Sequence, residues 1–110
     1  MSAIKGYHAH VYFELNPDDA DRAHRVCQKA AALFPLSVGR LHTKPIGPHP
    51  KGSCQLAFNP DLLGSVLHWL IENRNNLTVF IHTITGDDYL DHTDNAFWLG
   101  SPVTLNLKGL

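Results

Sequence analysis

The feature that most constrains this chain is a short phrase it uses twice. Phe13-Glu14-Leu15-Asn16-Pro17-Asp18 and Leu56-Ala57-Phe58-Asn59-Pro60-Asp61 each run an apolar stretch into Asn-Pro-Asp, and a helical pattern follows. Asn is a strong N-cap, and Pro suits the first helical position, where its missing N–H costs nothing. Asp favours the positive end of the helix dipole. The chain therefore enters a helix twice from an extended segment. Behind the first signal Ala20, Ala23, Cys27, Ala30 or Ala31, and Phe34 recur at helical spacing, which predicts a helix over 17–34 that stops before Pro35. Behind the second, Leu63, Val66, Leu67, Leu70 and Ile71 predict a helix over 60–74, broken by Asn75-Asn76.

Short runs with alternation, or rich in β-branched and aromatic residues, predict strands at 7–13, 37–43, 53–59 and 77–82. The order β-α-β-β-α-β is that of a ferredoxin-like α+β sandwich, an antiparallel sheet with both helices on one face. The stretch 83–110 is less regular, with a final strand expected near 103–107. Side chains alternate across a pleat. Tyr7, Ala9, Val11 and Phe13 then share one face of the first strand, and His8, His10 and Tyr12 the other. The apolar set belongs under the helices and the histidines on the opposite face. In this topology the first and fourth strands are antiparallel neighbours, which brings His8 to His82.

The 110 residues fit one domain, 1–110. A net charge of −1 and a pI near 6.7 lack the basic footprint of a nucleic-acid binder. No apolar run reaches the roughly 20 residues of a membrane span, and the start carries no apolar signal core. Cys27 and Cys54 form no CxxC pattern and are expected as reduced thiols of a cytoplasmic protein. Gly-x-Gly-x-x-Gly, P-loop and Gly-x-Ser-x-Gly motifs are absent. The eight histidines, against nine Lys and Arg together, are the unusual feature of the composition.

His8 and His10 point the same way from one strand, about 6.5–7 Å apart along it, so two imidazoles can chelate one ion. His82 makes a third donor, and Fe(II) or Zn(II) suits such ligands. The segment from His82 to His92 adds Asp87, Asp88, Asp91 and His92 as candidates to complete a metal shell or carry protons. His49 stands between Pro48 and Pro50 in a loop stiffened by three prolines, either a catalytic arm or a plain connection. Arg40 and His42 share a face of the second strand, and the Arg40 fork can bind a carboxylate. His24 and His68 read as structural. Trp69 and Trp98 read as core.

Several separated motifs, in order, resemble the DOPA 4,5-dioxygenase family. They are Tyr7-His8-Ala9-His10-Val11-Tyr12-Phe13, Arg40-Leu41-His42 leading to Pro45-Ile46-Gly47-Pro48-His49-Pro50, Trp69-Leu70 with Asn73-Arg74, His82 through Thr85-Gly86-Asp87 to Asp91-His92-Thr93, and Trp98-Leu99-Gly100. The likeness spans about residues 6–100. It implies a ferredoxin-like fold, usually dimeric, and extradiol cleavage of a catechol such as L-DOPA with O2; for that chemistry the expected metal is non-haem Fe(II), with Zn(II) as a substitute. On that reading His8, His10 and His82 with Asp88 (or Asp87 or Asp91) hold the metal. His42, His49 and His92 are the acid/base candidates, Arg40 or Arg74 grips the substrate carboxylate, and Tyr12 and Phe80 wall the ring. His42 and His49 are expected toward the far end of the sheet from His82, serving another pocket or reaching a site across a dimer interface. The exposed Tyr12 and Phe80 face invites a second copy. The rival expectation is a non-catalytic dimeric module binding a small aromatic ligand or a metal, since this fold hosts many functions. A Zn(II) hydrolase or isomerase is a third.

Overall fold

A computed structural model describes residues 3–110. The elements run β1 (Gly6–Phe13), α1 (Pro17–Leu33), β2 (Ser37–Val38), β3 (Gly52–Phe58), α2 (Leu63–Asn73), β4 (Val79–Ile84), α3 (Asp88–Asp91) and β5 (Ala96–Leu99). Single 3-10 turns stand at Pro60–Leu62 and Leu107–Gly109. The sheet order is β2-β3-β1-β4-β5, every pairing antiparallel. This is the expected ferredoxin-like α+β arrangement, widened by β5 at the β4 edge.

The two Asn-Pro-Asp signals start their helices differently. Asn16 caps α1, its side chain accepting the Asp19 N–H at 2.9 Å. Asn59 makes no such bond; a 3-10 turn takes up the slack, Leu62 N–H donating to the Asn59 carbonyl, and α2 begins only at Leu63. The helical apolar faces, Ala23, Val26, Cys27 and Ala30 of α1 with Val66 and Leu70 of α2, pack on Ala9, Val11, Phe13, Cys54, Leu56, Phe58, Val79 and Ile81. Burying a side chain of this size is worth roughly 1.5–3 kcal/mol. That core joins the sheet to the helices and leaves its other face to His8, His10, Tyr12, Phe80 and His82. Cys27 and Cys54 are free thiols inside the core.

Four expectations change. The second strand is ordered as a ladder only at Ser37–Val38; it rejoins β3 where His42 bridges Ser53, with its register slipped by one residue. Such a bulge bends the chain and re-aims side chains. The last strand is not at 103–107 but at Ala96–Leu99, paired with β4. Val103, Leu105 and Leu107 do alternate half-buried with exposed neighbours, but they have no ladder partner. Alternation reports one-sided burial, and here a loop lies on the protein without joining the sheet. Finally, β5 brings Trp98 opposite Phe80, so Trp98 belongs to the histidine face and not to the helix-side core. Tyr12 and Phe80 are buried at 1% and 0% exposure, which removes the exposed aromatic surface expected to meet a second copy. Among the described residues no helix is long and apolar enough to cross a membrane.

Candidate metal centre

The antiparallel register sets His8 directly across from His82, and His10 across from Phe80. His8, His10 and His82 each present a ring nitrogen, and these nitrogens all lie within 4.8 Å of one another. His10 Nε2 and His82 Nε2 are 3.1 Å apart. Two nitrogens bound at about 2.0–2.1 Å to one cation stand about this far from each other. His82 Nδ1 lies 2.7 Å from the Thr83 carbonyl. A carbonyl only accepts, so Nδ1 carries the hydrogen and the Nε2 lone pair faces His10. The hydrogen between the two rings is then His10's, and a cation would take its place.

Two further imidazoles close around this trio. The His49 ring centroid is 4.1 Å from that of His10, and the His92 centroid 4.1 Å from that of His82. Burial pushes the pKa of His8, His10, His49 and His82 below the ordinary imidazole value, and neighbouring histidines add to it. His49 and His82 fall to about 4. Neutral imidazoles are what metal coordination requires, so the donor set fits a cation.

His49 reaches the cluster because the Pro45–Pro50 loop folds back over the face instead of pointing off the sheet. His49 N–H donates to the Ile46 carbonyl at 2.9 Å, closing a turn, and Tyr12 Oη meets His49 Nδ1 at 2.6 Å. The Tyr12 pKa is raised by burial, so the phenol stays neutral and is the natural donor. That leaves the His49 hydrogen on Nε2. His92 is the reverse case. Its Nδ1 lies 2.7 Å from the Asp88 carbonyl, so Nδ1 holds the hydrogen and Nε2 is a free acceptor. The separation of His49 from His82 expected from strand order alone is overturned, because a returning loop leaves no periodic trace in sequence.

A cavity of about 250 Å³ opens beside the cluster, lined by His10, His49, His42, Arg40, Gln55 and Ser53 among others. Gln55 and Ser53 were not singled out in the sequence, although their alternation on β3 puts them opposite His10 and Tyr12. Other expected site residues stand elsewhere. Asp88 is exposed and offers the site only its carbonyl, through His92. Asp87 caps α3, accepting the Leu90 N–H at 3.0 Å. Arg74 donates to the Leu77 carbonyl at 2.9 Å and packs by Gly100, away from the cavity. Tyr12 and Phe80 lie beneath the imidazoles and do not line the cavity.

The carboxylate that matters most to the cluster is Asp91, buried at 3% exposure. It accepts the Thr83 hydroxyl at 2.7 Å, the Thr85 hydroxyl at 2.9 Å and the Thr85 N–H at 3.0 Å. Burial alone would raise its pKa, but these donors outweigh it and hold the carboxyl below its usual range. Asp91 therefore pins the end of β4, whose Thr83 carbonyl in turn fixes the His82 ring.

A ferredoxin-like sheet that gathers imidazoles from β1, β4, the Pro45–Pro50 loop and the residue capping α3, with a cavity beside His10 and His49, defines an α+β protein with a histidine cluster able to hold a metal ion. The chain belongs to the Dopa 4,5-dioxygenase family, whose model matches residues 7–109. It is 30% identical to the DOPA 4,5-dioxygenase of Amanita muscaria over 99% of its length and 51% of that protein. It is 32% identical to an uncharacterized 21.2 kDa protein of Botryotinia fuckeliana over 97% of its length and 64% of that protein. The chain thus spans roughly half to two thirds of these curated relatives. A crystal structure of an inferred dioxygenase from Nostoc punctiforme superposes with a TM-score of 0.91 at 43% identity, covering 97% of this chain and 91% of that one.

Proposed function

We propose that the chain is an extradiol dioxygenase that opens a catechol-type ring, L-DOPA or a related catechol, with O2. His8, His10 and His82 hold Fe(II), with Zn(II) able to occupy the same nitrogens. The observation that carries this reading is the 3.1 Å approach of His10 Nε2 and His82 Nε2 beside the cavity. Bound Fe(II) would supply the electron path between the catechol and O2. The protein's own groups account for the rest. Arg40 stands exposed on the cavity wall, where its fork can take a substrate carboxylate. His92 Nε2 accepts a proton from a catechol hydroxyl. His49 Nε2–H donates toward the oxygen on which negative charge grows, and His42 serves proton exchange nearer the mouth. Opposite tautomers, set by Asp88 and by Tyr12, make one imidazole a base and the other a donor at the same pH. The proposed donor set is three imidazoles in place of a two-His-one-carboxylate triad, because Asp88 is exposed and Asp91 has its oxygens engaged by threonines. A cytoplasmic setting accords with the two free thiols.

The test is anaerobic reconstitution with Fe(II), followed by 4-substituted catechols and O2. Stoichiometric O2 uptake with a yellow muconic-semialdehyde-type product is expected. Bound Fe(II) with no O2 uptake on any catechol sinks the reading and leaves a binding module.

A further inference from the structure

The three proposed ligands sit on paired strands, but His49 sits on a loop that joins no ladder beyond its own turn. Something else must fix it. Tyr12 holds its ring from below. From above, the segment after β5 crosses to the same loop. The chain turns at Gly100, and Thr78 donates its hydroxyl to the Ser101 carbonyl at 3.2 Å. Val103, Leu105 and Leu107 then lie half-buried. Asn106 N–H donates to the Pro48 carbonyl at 2.9 Å. Pro48 has no N–H, so this carbonyl is the one hydrogen-bonding group its backbone has, and it is the residue next to His49. The turn at Leu107–Gly109 lays Gly109 on the loop backbone. A Cβ there would drive into the Gly47 carbonyl and stand 3.1 Å from Pro48 N, both backbone atoms that cannot swing away.

We propose that the segment Val103–Leu110 clamps the His49 loop over the histidine cluster, with the Asn106 backbone N–H and the bare Gly109 as positioning residues for His49. The catalytic consequence rests on the proton-donor reading of His49; the clamp itself does not. Gly109→Val pushes the segment off Gly47, and Asn106→Pro deletes the donor to Pro48. Asn106→Ala keeps that N–H and is the control.

The experiment follows the assigned His49 ring nitrogens by 15N NMR in the metal-free protein. Wild type and Asn106→Ala are expected to show one fixed tautomer with the hydrogen on Nε2. Gly109→Val and Asn106→Pro are expected to show averaging between tautomers as the loop leaves Tyr12. With Fe(II) bound at wild-type stoichiometry, the same two variants are expected to lose roughly ten- to a hundredfold in kcat, the scale of about a 1 Å misplacement, with a smaller change in KM. An unchanged His49 signature in both variants overturns the clamp. If neither variant folds, the wild-type chain decides, since a clamping Asn106 amide is protected from hydrogen exchange and a freely exchanging one overturns the proposal. Should the wild-type enzyme cleave no catechol, the reading of its function fails, while the ring spectra and the Asn106 amide still decide the clamp.

Discussion

In the proposed reaction the chemistry turns on which nitrogen of each ring carries a hydrogen. Carbonyls of Thr83 and Asp88 take Nδ1–H from His82 and His92, and the Tyr12 hydroxyl is donated to His49. These partners fix the ring tautomers before any ligand arrives. His8→Ala, His10→Ala and His82→Ala are expected to abolish stoichiometric Fe(II) or Zn(II) uptake, measured by metal analysis after dialysis. His92→Gln and His49→Gln are expected to keep the metal and lose about 10²–10⁴-fold in turnover, the usual worth of a positioned acid or base. If His92→Gln loses metal instead, its place as a proton acceptor is wrong. Asp91 acts one step further out. Asp91→Asn keeps only one acceptor oxygen where the carboxylate has two, so a hydroxyl or N–H that it receives loses its acceptor, at a cost of about 1–3 kcal/mol. Through the Thr83 carbonyl it should also weaken metal affinity about tenfold or more. Denaturant titration and a metal-binding isotherm check the two effects separately.

The elements explain what the sequence disclosed and what it hid. β1 and β4 were legible because one residue in two must enter the core, so Ala9, Val11 and Phe13 announce the face on which His8, His10 and Tyr12 do not lie. Antiparallel pairing then delivered His82 to His8. The loop carrying His49 was opaque, because prolines report stiffness and not direction. So was β5, whose four residues are all half-buried and show no alternation to read. For the same reason the sequence does not show which face Trp98 takes. The sequence offers Asp91 as a metal or proton group but not as the partner of Thr83 and Thr85, which it meets only after β4 and α3 fold together. The repeated Asn-Pro-Asp signal offers a test at this level. Asn16→Ala removes a formed cap bond and is expected to cost about 1 kcal/mol. Asn59→Ala removes none and is expected to change stability by less than about half that, both read from denaturant midpoints at constant m-value.

Gathering neutral imidazoles inside one small molecule ties its stability to pH. An unfolded histidine titrates near 6.5, whereas His49 and His82 in the fold titrate at about 4, and His8 and His10 are also lowered. Between these values the unfolded chain binds more protons than the folded one, so stability rises with pH across that window. The contribution is fully present above about pH 6.5 and is lost as the pH falls toward 4; each proton of difference steepens the slope by about 1.4 kcal/mol per pH unit. Asp91, with its pKa held low, adds a loss in the same direction, but only below the ordinary carboxylate range. The metal-free protein is therefore expected to show a flat Tm above pH 7 and a steep fall from 6.5 to 4. In His49→Gln the fall should be shallower, because one titrating ring is gone. A cation bound to the same nitrogens stabilises only the fold, by mass action, and competes with protons for the lone pairs. Saturating Zn(II), which has no redox chemistry of its own, should then raise Tm at pH 7.5 and lose that gain as the rings protonate. Scanning calorimetry at stepped pH, with and without Zn(II), measures both curves. A Tm gain that persists unchanged at pH 4.5 would place the ion away from these histidines.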